Sequence, residues 1–407
     1  MEKTKVSKQI LAGLDGGIQT IAGRVPKPSQ KFLRRMLLGM TLAGSVLLSE
    51  VARQPVASHG ITFHAAHKQL SSNLKSAQWG AVAVQNAYLE GASEHLDKDR
   101  MIAVDLGDIT KLYARKMPQL STVRDGSTGA LKKGWWLLEA EALTGPKHQR
   151  HVPLWLELFT IGKRKYQSIW TVIENAIRSM AGRIGPSGTW LFDRGFDNWR
   201  FFQFLSGLSV DFLIRANARR RVKDLSDGRT RTLGALAQRA LKSAPMLWKR
   251  KYASRACLLK VGHATFEVPQ TGQRLSLVVV EGFGKNPLLL VTSRIVQSAE
   301  AAVALAKAYL KRWGVEEAGR LIKQVFDLEN LRVLTWSGLQ KLVWCALWAC
   351  GLMCQLRFQA KHAYSQWLKI YPSFGKEPAF SYYRLAGAVR YLLQCCTPSM
   401  LYKVQSL

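Results

Sequence analysis

Acidic residues are scarce in this chain of 407 residues, because 27 Asp and Glu stand against 59 Lys and Arg, giving a formal net charge of +32. So large a charge opposes compaction through self-repulsion, and a polyanionic partner explains it best. DNA, RNA and an anionic membrane surface are the candidates, and nucleic acid is favoured. The hydrophobic fraction of 47% excludes a disordered basic tail and a low-complexity chain. The length predicts two to four structural units, at about 100–200 residues per unit.

Long hydrophobic runs are also missing. The two longest, Met36–Leu48 and Leu342–Cys354, each span 13 residues, whereas a membrane-spanning helix needs about 20. Both runs are therefore predicted to be buried helices, and no membrane is expected among the partners.

Cysteine is too sparse for a disulfide framework, with six residues in so long a chain. Cys350 and Cys354 lie one helical turn apart and Cys395 and Cys396 are adjacent, and neither spacing is that of a metal site. Buried thiols in a reducing compartment are expected, which predicts a cytoplasmic protein.

The remaining pattern divides the chain into five regions. Residues 1–95 are rich in Ala, Leu, Lys and Gln, which predicts a helical DNA-binding region, with a short basic arm set apart by Pro26 and Pro28. Strands and one helix follow: Met101–Val104, Trp135–Ala142, Leu154–Ile161, Ser168–Met180 (the helix), Thr189–Phe192 and Asp211–Ala216. This alternation indicates an α/β core over 96–219.

A basic segment interrupts this core. From Arg215 to Lys260 there are 14 basic and only two acidic residues, and strand patterns return within and after the segment. We predict a β-rich basic insertion over 220–285 and the second part of the core over 286–335, with one helix over Glu300–Gln324. A helical C-terminal region is expected over 336–407.

One face of that predicted helix carries several chemically active groups. At about 100° per residue, Tyr309, Arg312, Glu316 and Lys323 fall within roughly 60° of one another. The face presents a hydroxyl, a guanidinium, a carboxylate and an ammonium, while Glu317 lies off it. A solvated helix with ion pairs along its surface is the alternative interpretation.

Two apolar strands run into aspartates, Asp105 and Asp193. A carboxylate at the carboxyl end of a strand points into the crevice where α/β sheets bind ligands. With Glu316 they make three carboxylates, and Mg²⁺ or Mn²⁺ requires oxygen ligands of this kind. Two such ions stabilise the attacking and leaving oxygens of phosphoryl transfer. We therefore predict that Asp105, Asp193 and Glu316 are the catalytic and metal-binding residues.

The spacing of the helix residues resembles the signature of a known family. Tyr309, Arg312, Glu316 and Lys323 match, without a gap, the Y-(2)-R-(3)-E-(6)-K pattern of insertion-sequence DDE transposases.

Shorter motifs extend this resemblance over about 100–335. The run from Asp193 to Asp197 (DRGFD) is similar to the motif around the second catalytic aspartate of the family. The FLIRA strand with Arg215 is similar to the strand that follows it. The strand ending at Asp105 is similar to the first catalytic strand, although Asp108 is an alternative for the first aspartate.

The resemblance implies an RNase H-like catalytic core with a β-rich insertion, flanked by N- and C-terminal helical regions. It implies metal-dependent cleavage of DNA at transposon ends and transfer of the 3′-OH ends into target DNA. The implied partners are the terminal inverted repeats, target DNA and a second copy of the chain in a synaptic homodimer, within a nucleoid-associated setting. By analogy, the DNA-contacting residues are Tyr309, Arg312, Lys323, Arg215, Arg194 and Trp248. For Trp248 two interpretations stay open, a stacking platform for a flipped base and, as the favoured alternative, an ordinary packed tryptophan.

Two other functions remain open. One is a non-catalytic protein of a decayed element that binds transposon ends, and the other is a related metal-dependent nuclease. Clustered carboxylates repel phosphates, so a protein that only binds DNA gains nothing from them. A nuclease would cut DNA without joining the ends to a target.

Overall fold

Helices form both ends of the chain and a mixed sheet forms its centre. The computed structural model describes residues 2–76, 79–114, 116–126, 128–161, 168–243, 245–252, 255–359, 363–371 and 381–402.

The N-terminal helices are α1 (Glu2–Ala22), α2 (Lys27–Ala43), α3 (Leu48–Ala52), α4 (Pro55–Ser58), α5 (Phe63–Lys75) and α6 (Ala81–Ser93). Pro28 lies in the first turn of α2, where its missing amide hydrogen is tolerated. Gly44 ends α2 with a φ of 60°, so the apolar run that begins at Met36 is not one helix. Ile10 and Leu14 of α1 are buried. The expected separate basic arm is therefore wrong, because these side chains belong to the core.

The strands are β1 (Met101–Thr110), β2 (Ser121–Arg124), β3 (Leu131–Thr144), β4 (Arg150–Phe159), β5 (Thr189–Phe192), β6 (Asp211–Arg215), β7 (Arg221–Asp224), β8 (Thr230–Thr232), β9 (Met246–Tyr252), β10 (Arg255–Glu267), β11 (Arg274–Glu281) and β12 (Leu288–Thr292). They join one sheet in the order β2-β3-β1-β5-β6-β12-β11-β10-β7-β8, with β4 beside β3 and β9 beside β10.

The first half of the sheet has the strand order of an RNase H-like core, as the sequence predicts. β1, β3 and β4 form an antiparallel meander, and β5 and β6 lie parallel to β1 on its other side. The helices α7 (Ile169–Ile184) and α8 (Trp199–Gly207) connect the parallel strands.

The basic segment after β6 extends this sheet. β12 pairs antiparallel with β6, and β11 and β10 follow in turn, so the inserted strands continue the core sheet. The segment also contains a helix that its basic composition hides, α9 (Leu233–Ser243). It packs on β10 at Gly262, where a Cβ would lie 2.7 Å from the Ala240 carbonyl oxygen.

The remaining helices are α10 (Ala299–Leu310), α11 (Trp313–Val325), α12 (Trp336–Gln359), α13 (Ala363–Ile370), α14 (Tyr382–Gln394) and α15 (Pro398–Tyr402). The single helix expected over Glu300–Gln324 is thus two helices. At the junction the amides of Lys311 and Arg312 bond to carbonyls three residues back. The chain turns there because α10 packs against one hydrophobic core and α11 against another.

The N- and C-terminal helices share one of these cores. Side chains of α1, α2, α12 and α14 pack together and cover one face of β3 and β4. α12 is long and apolar enough over Trp336–Phe358 to cross a membrane, but 83% of its most apolar window is buried within the fold. The prediction of a buried helix over 342–354 is confirmed.

The shared core predicts the effect of truncating a side chain in α1. Ile10→Ala should lower the free energy of unfolding by about 2–5 kcal/mol, because a fully buried side chain leaves a cavity. Lys5→Ala, on the exposed side of the same helix, should change it by less than about 0.5 kcal/mol. Urea unfolding of both variants measures the difference. Equal, small effects would mean that α1 lies outside the cooperative fold.

Candidate active site

Two predicted aspartates lie side by side on adjacent parallel strands. Val104 of β1 pairs with Phe192 of β5, and Asp105 and Asp193 are the next residues along each strand. Neighbouring strands are about 4.8 Å apart, so the two carboxylates share one edge of the parallel sheet. Asp193 follows the end of β5, as expected. β1, however, continues to Thr110 because it stays paired with β3, so Asp105 lies within its strand rather than at its end.

A third carboxylate, Glu139, joins this site. It lies directly opposite Asp105 in the antiparallel β1–β3 pair. Its Oε1 is 2.9 Å from Nζ of Lys323 on α11, and both side chains are largely buried. The sequence reasoning missed Glu139. The available signal was a glutamate within the apolar strand Trp135–Ala142.

Two glycines allow α11 to approach the sheet at this point. A Cβ at Gly107 would lie 2.8 Å from Glu139 Oε1 and 2.9 Å from Lys323 Nζ. A Cβ at Gly319 of α11 would overlap Oε2 of Glu139. The buried ion pair therefore fills the space that these two missing side chains leave between helix and sheet.

Arg312 supplies the second cation of the cluster. Its Nη1 is 3.4 Å from Oδ2 of Asp105, and its side chain is almost fully buried. Burial raises the pKa of Asp105 to about 6, Arg312 opposes this rise, and the carboxylates of Asp193 and Glu139 add to it. Three carboxylates are thus close enough to influence one another, and two cations partly neutralise them.

The protonation of Lys323 follows from the same arrangement. Burial alone would lower the pKa of its ammonium, but the adjacent carboxylate of Glu139 raises the pKa above its ordinary value. Lys323 is therefore a charged partner of Glu139.

An open cavity of about 350 Å³ borders the cluster on the α10 side. Tyr309, Arg312 and Arg215 line it together with residues of the β11–β12 connection, including Lys285. Burial raises the pKa of the Tyr309 hydroxyl, although Arg312 and Arg215 lower it. Three of the predicted DNA-contacting residues thus share one cavity, and Arg215 is exposed in it.

The two candidates for the first aspartate occupy different places. Side chains alternate along a strand, so Asp105 and Asp108 are on opposite faces of β1. Oδ1 of Asp108 accepts a hydrogen bond from the amide of Gly126 at 3.0 Å. This places Asp108 against the β2–β3 turn and favours Asp105 as the residue beside Asp193.

The remaining predicted residues are spread around this centre. Glu316 lies on α11, four residues after Arg312, but its side chain is outside the described residues. Arg194 is exposed directly after Asp193. Trp248 lies on β9, where Nζ of Lys307 is 5.5 Å from the centre of its ring. The assignment of Trp248 as a base-stacking residue stays a prediction.

The third predicted metal ligand is Glu316, whose side chain lies outside the described residues. Among the side chains that the structure describes, no group of three His, Cys, Asp or Glu is placed to hold a metal ion. Asp105 and Asp193 nevertheless fit such an ion, because they are carboxylates on adjacent strands, burial raises the pKa of Asp105, and the charges of Asp193 and Glu139 add to this rise. A divalent cation relieves that crowding with the oxygen ligands that it prefers.

Comparison with known proteins identifies a family for this chain. The family described as "Transposase DDE domain" matches residues 149–352, which is half of the chain. No curated protein matches the sequence. Among solved structures the chain is similar to one titled "Cryo-EM structure of piggyBac transposase synaptic complex with hairpin DNA (SNHP)", with 9% identity and a TM-score of 0.47, over 100% of this chain and 82% of that chain.

The RNase H-like sheet with paired aspartates on adjacent parallel strands defines a class of enzyme that cleaves or transfers nucleic-acid strands. The family match makes the assignment narrower, because this chain belongs to the DDE transposase family. The matched segment contains Asp193, Arg312, Glu316 and Lys323 but begins after Asp105. Asp105 is therefore placed in the site by strand pairing.

Close packing at Gly319 generates a prediction for stability and activity together. Gly319→Ala should push the Glu139 carboxylate away from Lys323 and lower the free energy of unfolding by about 1–3 kcal/mol. The same shift should weaken DNA cleavage, because α11 carries Glu316.

Gly182→Ala in α7 is the matched control. Nothing lies within 4 Å of its added Cβ, and alanine is a better helix former by up to about 1 kcal/mol. Urea unfolding and a cleavage assay would be run on both variants. A Gly319→Ala protein as stable and active as the control would contradict the packing described above.

Proposed function

We propose that this transposase cleaves DNA at the ends of its transposon and joins the 3′-OH ends to target DNA by metal-dependent phosphoryl transfer. The observation that carries the proposal is the placement of Asp105 beside Asp193, under the helix that bears Glu316. These are the elements from which a DDE site is assembled. The inferred metals are Mg²⁺ or Mn²⁺, held by Asp105, Asp193 and Glu316. Bound there, two such ions stabilise the attacking and leaving oxygens of an in-line displacement.

The cations around the carboxylates have a second task in this proposal. Arg312 and Lys323 form ion pairs with Asp105 and Glu139. Both are also predicted to hold the backbone of the transposon end, with Tyr309 and Arg215 in the same cavity. A guanidinium binds a phosphate through two parallel hydrogen bonds and fixes its orientation, whereas an ammonium acts as a point charge. Arg312 would therefore orient the scissile phosphate and Lys323 would attract it.

The partners follow from the chemistry and the charge. A net charge of +32 suits a protein that engages long stretches of DNA backbone. We propose terminal inverted repeats and target DNA as the partners, and a homodimer that holds two ends together. The proposed location is the cytoplasm, next to the nucleoid, without a membrane partner.

The catalytic aspartates are tested by comparing substitutions of Asp105 and Asp193 with a substitution of Asp108. Asp105→Asn and Asp193→Asn should each reduce end cleavage by about 100-fold or more, because each removes an oxygen ligand with negative charge. Binding of terminal-repeat DNA should persist. Asp108→Asn should retain cleavage, since Asp108 contacts the Gly126 amide on the other face. Single-turnover cleavage in Mn²⁺ measures all three variants. An inactive Asp108→Asn with an active Asp105→Asn would overturn the assignment.

Adjacent glutamates on α11 provide the second test. Glu316→Gln should abolish cleavage and weaken Mn²⁺ binding, as expected for a metal ligand. Glu317→Gln should be nearly silent, because Glu317 is half-exposed and paired with Arg320 at 3.3 Å. Calorimetric Mn²⁺ titration and cleavage separate the two variants. The product also distinguishes a transposase from a nuclease, since only a transposase yields ends joined to a second duplex.

A further inference from the structure

A second cationic cleft lies beside Asp193 on the side away from Tyr309. It encloses about 580 Å³ at the carboxyl ends of β5 and β6. Its lining residues are Arg194, Asp197, Asn217, Arg219 and Arg220. Three guanidinium groups against one carboxylate give it a formal charge of +2 (3 − 1).

The carboxylate of Asp197 holds the walls of this cleft in place through hydrogen bonds. Its Oδ1 is 2.6 Å from Nε of Arg220, and its backbone oxygen accepts a further hydrogen bond from the same guanidinium. Its Oδ2 accepts a hydrogen bond from the amide of Asn217 at 2.8 Å. The guanidinium of Arg220 also stacks on Trp199, 4.4 Å from the ring centre. Asp197 therefore fixes the chain after β6 against the start of α8 and immobilises Arg220.

The other two arginines of the cleft, Arg194 and Arg219, present their charge to solvent. Arg194 and Arg219 are exposed, and neither forms an ion pair within the part of the chain that the structure describes. The amide of Arg219 is held by Oδ1 of Asn217 at 3.0 Å, so its backbone position is defined. An anion entering the cleft would thus meet two exposed guanidinium groups on an ordered backbone, of which Arg194 also interacts electrostatically with Asp197.

The two cavities next to Asp193 lie on opposite faces of the sheet. Tyr309 packs with Leu191 of β5 in the core beneath α10. Phe192 packs with residues of α8 in the core on the other face, and Trp199 joins that core. By the alternation of side chains along a strand, Asp193 is on the same face as Leu191 and Tyr309. The next residue, Arg194, lines the cleft on the other side.

In strand transfer two DNA strands meet at the carboxylates. The 3′-OH attacks the phosphorus on one side, and the bond to the leaving oxygen of the attacked strand breaks on the opposite side. The strand that carries the 3′-OH and the strand that is attacked therefore each need a binding surface near the carboxylates. The α10 side already holds Tyr309, Arg312 and Arg215, which are assigned to the transposon end.

We propose that the cleft lined by Arg194, Asn217 and Arg219 binds backbone phosphates of the target DNA, with Asp197 and Arg220 as its positioning residues. This inference rests on the proposed function, because it assigns the second substrate of the same site. Phosphate recognition by guanidinium groups is independent of base sequence, as capture of varied targets requires.

The first test measures binding without metal and without catalysis. Affinity for a short duplex of random sequence would be determined by fluorescence anisotropy in EDTA over a range of salt concentrations. The slope of log K against log salt is negative, and each lost phosphate contact reduces its magnitude by about 0.9. Arg219→Ala should lower it by about 1, and Arg194→Ala/Arg219→Ala by about 2. Arg183→Ala on α7, where Arg183 pairs with Glu90 at 2.9 Å, should leave it unchanged.

The second test asks which duplex occupies the cleft. Full-length protein would be assembled on pre-cut terminal-repeat DNA, and capture of a labelled random duplex and its joining would be followed. Arg219→Ala should lower target capture and joining about tenfold, as loss of a charge-assisted hydrogen bond implies. Arg219→Lys should recover part of this loss by restoring the charge. The ratio of joining to end cleavage should fall with Arg219→Ala and not with Arg183→Ala.

The outcomes separate this inference from the proposed function. An unchanged salt slope for the double variant would overturn the inference even if wild-type protein cleaves and joins DNA. An equal loss of end binding and target capture would also overturn it, because the cleft would then hold the transposon end. A changed slope and impaired capture in a protein that never cleaves would support the cleft and contradict the proposed catalysis.

Discussion

The site depends on a set of buried opposite charges between the sheet and α11. Asp105 faces Arg312 and Glu139 faces Lys323, in a gap between the core under α10 and the core shared by the terminal helices. Removing one member of such a pair leaves an uncompensated charge in poorly solvated surroundings, which is strongly destabilising. The glycines at 107 and 319 create the gap, and the four charged side chains fill it. The same four side chains therefore determine both how α11 packs on the sheet and which charges surround the site.

This constraint pairs each cation of the site with a carboxylate. The pairing keeps the crowded acidic groups tolerable. In the proposed function, divalent ions held by Asp105 and Asp193 would add positive charge where Arg312 lies against Asp105. Arg312 also borders the cavity shared with Tyr309 and Arg215, where it would meet a phosphate.

The helices at the two ends of the chain pack together in one core. α1 and α2 share a core with α12 and α14, and that core packs on β4 of the catalytic sheet. A duplex held by the N-terminal helices would therefore be held at a fixed position relative to Asp105 and Asp193. The inserted strands β10 and β11 continue the same sheet, so their basic residues are rigidly placed relative to the site as well.

The sequence by itself predicted an α/β core, Asp105 and Asp193 as carboxylates that follow apolar strands, and the signature at Tyr309 to Lys323, whose resemblance to a family implied the RNase H-like core. The strands and the signature follow from local periodicity and spacing along the chain. The tertiary structure decided the pairing of β1 with β5 that brings Asp105 beside Asp193. Only the tertiary structure revealed Glu139, the break between α10 and α11, and the cleft of Arg219. Glu139 meets Lys323 across 184 positions (323 − 139), and the helix breaks because its two halves meet different cores. Contacts between distant segments arise when strands pair and helices pack, and no local pattern encodes them.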